Sequence, residues 1–279
     1  MERDPFAGLQ DELAADTTFT RTDLLGQARR GFVRIRKDFV QRETQPRPSV
    51  LAKLVSGSNM RALDMLLTVH ALQPIFRPDR RSLDLKVWAR MLGKDVSVRT
   101  ANSALKVLQE MDLIEVEGKR GSPKIVLKRE NGDGKPWTKE PEEDPAERGR
   151  GFFTLPFEYW TSGHIDTLKL PGKAMLLVML KETQDPNGKL TFVMAHERAQ
   201  AFYGFSERTA ERGYLELRQH KLFKEKRQLV KSGEHPLGQR EEWHRALERP
   251  YSTDHREWLR KKAESAAATA TRQASQTTP

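Results

Sequence analysis

Two five-residue runs, Ser97-Val98-Arg99-Thr100-Ala101 and Ser206-Glu207-Arg208-Thr209-Ala210, lie 109 residues apart (206 − 97) and open stretches with the same helical pattern. At about 100° per residue, Ala101, Leu105 and Leu108 form one stripe. The opposite side carries Arg99, Asn102, Ser103, Lys106 and Glu110. In the second stretch Ala210, Tyr214 and Leu217 face inward, while Arg208, Glu211, Arg212 and Gln219 face out. Arg is the natural donor to guanine, Asn or Gln pairs with adenine, and a carboxylate accepts from the cytosine amino group. Such faces hold the donors and acceptors that read base edges, and Thr100 and Thr209 beside them are placed to hydrogen-bond phosphate.

Each stretch needs an element that stops before it and one that follows. Leu85, Trp88, Ala89 and Leu92 predict a helix ending at Gly93 in a left-handed cap, with Ser97 as the next N-cap. Beyond Asp112, Ile114 and Val116 alternate with charges before the turn-rich EGKRGSP and the return Ile125 to Leu127, which predicts a hairpin with Lys119, Arg120 and Lys124 at its basic loop. The second copy has Ala199 and Phe202, Gly204 at a turn one residue shorter, and Ser206 as N-cap. LFKEKRQLVKSGEHPLG supplies a second strand, tip and strand, with Lys224, Lys226 and Arg227 as candidate phosphate contacts. Leu215 is an unexpected outward leucine, for which packing by a C-terminal helix is the preferred account.

The repetition runs further. GFVRIRKDFV from Gly31 matches GFFTLPFEYW from Gly151, both extended openings. Arg61 to Leu67 matches Lys173 to Met179, two buried-looking helices. Three anchors in the same order point to duplication.

These residues resemble the winged helix-turn-helix superfamily, whose common pattern Ala-x-x-x-Gly-φ-Ser-x-Arg-Thr is approached by Ala199-Gln-Ala-Phe-Tyr-Gly204-Phe205-Ser206-Glu-Arg208-Thr209. The first copy needs a one-residue licence. The resemblance covers about 31–128 and 151–235. It implies a mainly α fold with small β-hairpin wings (α+β), in two tandem winged helix-turn-helix domains. At the level of architecture the pair is also similar to the iteron-binding replication initiators of plasmids.

The expected organisation is a flexible arm over 1–27, with a short helical pattern around Leu9, Leu13 and Ala14, then a first domain over 28–130 and a charged linker over 131–150. A second domain over 151–235, a helical extension over 236–263 and a disordered tail over 264–279 complete it. Trp137 is the apolar exception in the linker, expected to dock on a neighbouring domain. In the extension, Trp243, Ala246 and Leu247 have helical spacing and Pro250 stops them. Trp243 and Trp258 then pack back on the second domain or make a dimer contact.

Composition agrees. A formal charge of +10 over 279 residues draws polyanions by steering and counterion release, and 37% hydrophobic content with 32% charge favours two modest cores over one large one. There is no cysteine, which excludes disulfides, thiol catalysis and cysteine-based zinc sites. The acidic start MERDPFAGLQDELAAD lacks a signal core and no apolar run reaches membrane-spanning length, so a cytoplasmic, nucleoid-associated protein without a membrane partner is expected. No phosphate loop, His-Glu-x-x-His or Gly-x-Ser-x-Gly run occurs, and His70, His164, His196, His220, His235, His244 and His255 are scattered. No catalytic residue, metal or cofactor is predicted. The sequence-level expectation is a double-stranded DNA binder that regulates transcription of a bacterial operon or mobile element. Alternatives are an initiator binding plasmid-type origin repeats, separable by direct repeats beside the gene, and a protein-interaction module, with homodimerisation through the second domain or the C-terminal helix.

Overall fold

The computed structural model describes residues 13–41, 48–76, 82–119, 121–138, 151–184, 190–194 and 199–276. It is a mixed α+β protein with small antiparallel sheets. The first half runs α1 (Thr17–Ala28), β1 (Phe32–Arg36), α2 (Val50–Ser56), α3 (Met60–Leu72), α4 (Leu85–Leu92), α5 (Val98–Glu110), β2 (Ile114–Lys119) and β3 (Ser122–Leu127). The second runs β4 (Phe152–Pro156), α6 (Glu158–Thr161), α7 (His164–Thr167), α8 (Leu170–Glu182), β5 (Phe192–Val193), α9 (Ala199–Tyr203), α10 (Glu207–Gln219), β6 (Phe223–Lys231), β7 (Gln239–Leu247) and α11 (Thr253–Gln276).

Two helices that are apolar on nearly every side occupy the centre, as that pattern demands. In α3 every residue from Ala62 to Leu72 is buried, and in α8 every residue from Gly172 to Leu180. Instead of the expected pair of separate cores, the buried apolar residues of both halves form one continuous cluster. Its single carboxylate on α3, Asp64, is answered from the other half. Lys173 Nζ lies 2.6 and 2.7 Å from its two oxygens, and Tyr159 donates its hydroxyl at 2.9 Å. Trp160 Nε1 donates to Thr68 Oγ1 at 3.0 Å.

The two extended openings pair with each other. β1 and β4 form an antiparallel sheet in which Arg34 faces Thr154, its counterpart at the 120-residue offset between Gly31 and Gly151. Lys37 N donates to Gly151 O at 3.1 Å, and its counterpart Phe157 N donates to Gly31 O at 3.0 Å. A local two-fold axis therefore passes between Arg34 and Thr154. The exchange continues outward. Gly93, after α4, sits against Asp166 of α7, and Gly204, after α9, sits against Ala52 of α2. In each half, the short helices that follow the opening strand reach across to the other half's turn.

Several boundaries differ from the sequence expectation. Residues 17–28 are a docked helix, not an arm, because Arg21, Leu25 and Ala28 are buried and Arg21 Nη2 bonds Asp166 at 2.9 Å. Leu13 and Ala14 precede that helix, Leu13 fully exposed, and Leu9 lies outside the described residues. The linker holds to the first half through residue 138. Trp137 Nε1 donates to the buried Glu130, which also pairs with Arg36 at 2.8 Å, while Arg36 reaches Thr138. Residues 139–150 lie outside the described residues.

The segment read as helical around Trp243 is strand β7, paired along its length with β6, so the second hairpin runs to residue 247 instead of closing by 235. Period two wins there because Arg245 and Leu247 are buried on one face of the sheet while their neighbours are not. The segment read as disordered continues α11 to Gln276, an alanine-rich stretch of high helix propensity carried on a helix already anchored. The anchor is Arg256, whose guanidinium meets Leu180 O, Thr183 O and Gln184 Oε1 at the end of α8. Burial, with Arg260 beside it, lowers its pKa to about 10. Trp243 and Trp258, expected either to pack back on the second domain or to make a dimer contact, are 42% and 52% exposed, so neither is packed away within the chain. Among the described residues no helix is long and apolar enough to cross a membrane.

Candidate nucleic-acid interface

The paired runs become a matched pair of helix starts. Ser97 Oγ accepts from Thr100 N at 3.1 Å and Ser206 Oγ accepts from Thr209 N at 3.3 Å, so both are the N-caps that their type and position predict. In each, the Ser and Thr hydroxyls lie 2.9 Å apart. Thr100 and Thr209 therefore complete the capping turn, and each hydroxyl, with one hydrogen and two lone pairs, keeps two of its three possible bonds to offer. The turn before α10, residues 204–206, is two residues shorter than 93–97, not one. Gly93 follows α4 with φ 152 and ψ 162, outside the expected left-handed cap yet still a positive-φ conformation that favours glycine, whereas Gly204 has φ 76.

The inward stripes agree as well. Ala101, Ala104, Leu105 and Leu108 are buried in α5, and Ala210, Gly213, Tyr214 and Leu217 in α10, each set matched at the shift of 109. Burial of these stripes against α3 and α8 fixes the rotation of both helices. It leaves Arg99, Asn102, Ser103 and Lys106 exposed on α5, and Arg208, Glu211, Arg212 and Gln219 exposed on α10, the faces read from sequence. Glu110 is exposed too.

On the first half a cleft of about 490 Å³ separates α5 from the β2–β3 hairpin, with Arg99, Asn102 and Lys106 on one wall and Val116, Glu117 and Pro123 on the other. Gln109 also lines it, a residue the sequence reading missed although its helical position follows Lys106 by three. Exposed Lys94 in the preceding turn was missed likewise. A charged residue in a short loop carries no periodic signal.

The hairpins are less cationic than their composition suggests. Lys124 pairs with Glu117 across β2–β3 at 3.2 Å. On the longer β6–β7 ribbon Lys224 pairs with Glu248 at 2.8 Å and Arg227 with Glu241 at 2.9 Å, while Lys226 is exposed. The side chain of Lys119 and the whole of Arg120 lie outside the described residues. The ribbon is held to α10 by Arg245, whose guanidinium lies 4.0 Å from the centre of the Tyr214 ring, and by an ion pair between Arg218 and Glu225. Burial raises the Tyr214 phenol's pKa well above its ordinary value, so the ring stays neutral beneath that cation.

Leu215 is half-exposed, at 51%, so the expected cover from a C-terminal helix is not formed. The role of Glu216 beside it could not be read from sequence: its carboxylate accepts from Lys169 N and Gly172 N at the start of α8, where amides lack helical partners. Among the described residues no group of three or more His, Cys, Asp or Glu is placed to hold a metal ion. Comparison of the chain with protein-family models, with curated proteins and with solved structures returned no match.

Proposed function

We propose that this chain is a sequence-specific binder of double-stranded DNA, built from two winged helix-turn-helix units with α5 and α10 as recognition helices and β2–β3 and β6–β7 as wings. We assign it to transcriptional regulation in a bacterium or a mobile element, and to the nucleoid. One observation carries the reading. Two helices with matching Ser N-caps and matching buried stripes each leave a polar face outside, with Arg99, Asn102, Ser103 and Lys106 on one and Arg208, Glu211, Arg212 and Gln219 on the other. A solvated helix face would serve folding equally well with any polar residues. Arginine near a helix N-terminus is mildly disfavoured by the helix dipole, and Arg99 and Arg208 both stand in the first turn. Phosphate or guanine would compensate that cost. The +10 charge supports the same partner.

The test is selection from random duplex DNA followed by titration at several salt concentrations. An enriched motif is expected, with affinity falling steeply from low to physiological salt. Arg99→Ala should weaken the selected site by about 1–3 kcal/mol while circular dichroism stays unchanged. No enrichment combined with a flat salt response would overturn the reading. Enrichment of short direct repeats that recur beside the gene would move the role from regulation to origin binding.

A further inference from the structure

The two candidate recognition helices can be compared residue by residue, because their N-caps, hydroxyl pairs and buried stripes coincide at a single shift of 109. Arg99 corresponds to Arg208, so the first outward position is the same in both. The next is not: Asn102 corresponds to Glu211. One turn further, Lys106 corresponds to Leu215. All six side chains are exposed.

We infer that the two halves read unlike half-sites, adenine opposite Asn102 and cytosine opposite Glu211, and that Glu211 is the residue that sets the difference. The inference rests on the DNA-binding reading above. An amide both donates and accepts, and so matches the paired acceptor and donor on the major-groove edge of adenine. An ionised carboxylate only accepts. The groove offers it donors on cytosine and adenine, whereas guanine and thymine present acceptors that repel it. Cytosine, whose groove edge is a donor without the adjacent acceptor nitrogen, is the better partner.

Glu211 has a plainer role to compete with, since acidic side chains favour the start of a helix. Glu207 already occupies the first turn of α10, and Glu211 lies a full turn beyond it. Among the described residues no ion pair or hydrogen bond holds Glu211, unlike Glu216 on the same helix, which caps α8. A free carboxylate on a face turned towards phosphates would be repelled unless a base donor met it. Leu215 adds to the contrast, because it replaces the cation of Lys106 with an alkyl group. Arg212, however, stands where the first half has Ser103, so each helix face carries two cations, and the carboxylate of Glu211 is what the second face adds.

The experiment is duplex selection with the full chain, its Glu211→Asn variant and its Asn102→Glu variant, with thermal melting of each to establish that it is folded. The unaltered chain should enrich a site whose two halves carry A against C at the matched position read by Asn102 and Glu211. Glu211→Asn should convert C to A there, with a preference change of about five- to hundredfold, and make the two halves alike at that position. Asn102→Glu should make the opposite change in the other half. If a motif is enriched but neither variant moves these positions, the assignment of Glu211 is overturned while the DNA-binding reading stands. If the unaltered chain enriches nothing, both fall.

Discussion

Asp64 and Lys173 show how much one buried pair can decide. Neither is more than 1% exposed, they come from different halves, and Tyr159 and Ile165 O complete the hydrogen bonds around them. Burial pushes the Asp64 carboxyl upward in pKa and the Lys173 amine downward, and each opposes the shift of the other. Such a pair is weak as a source of stability but costly to break. Lys173→Met should therefore destabilise the protein by about 3–5 kcal/mol at neutral pH. With Lys173 gone, the folded-state pKa of Asp64 rises further above its ordinary 3.8, so the native form takes up a proton more readily than the unfolded one. The deficit should then shrink as pH falls towards that value. The double variant Asp64→Leu/Lys173→Met should recover most of the loss, and urea denaturation of the three proteins at two pH values measures it. Equal stability of single and double variants would show that the pair does not act as a unit.

Among the elements, α5 and α10 were legible because amphipathic period, N-cap and turn agreed at Ser97 and Ser206. Their outward residues fell where the pattern placed them. The β7 strand was not legible, since Trp243, Ala246 and Leu247 satisfy a helical spacing while Arg245, a charged residue, is one of the buried positions. Its burial depends on the Tyr214 ring, contributed from thirty-one positions earlier, which no local pattern contains. The docking of α1 was hidden for the same reason: Arg21 is buried where Asp166 and the Met91 carbonyl, both far away in sequence, meet its guanidinium. Gly213 offers a test at this level. It is the counterpart of Ala104, and alanine would favour the helix by about 1 kcal/mol. Yet a Cβ there would lie 2.3 Å from Met175 Cγ and 2.5 Å from Pro171 O. The clash with backbone outweighs the propensity, and Gly213→Ala should lower stability by about 1–3 kcal/mol in a denaturant titration. A stabilised variant would mean that α10 can move off α8 freely.

Across the whole chain, the sequence pointed to a duplicated molecule but not to a shared interior. Strand pairing between β1 and β4 depends on residues 120 apart, and nothing in either strand names its partner. The joint sheet, the Asp64 to Lys173 pair and the continuous core bind the halves into one cooperative unit. Heating should give a single transition that coincides by far-ultraviolet circular dichroism and by tryptophan fluorescence. Resolved transitions for the two halves would contradict it.

The reciprocal crossing of the opening strands has one more consequence. A site normally clasped by two identical subunits loses occupancy sharply on dilution, because the subunits must first find each other. Here both grips arrive on one polypeptide at a fixed local concentration. Occupancy of any ligand held by both halves should then follow a simple hyperbola in protein concentration, at a handful of molecules as at many.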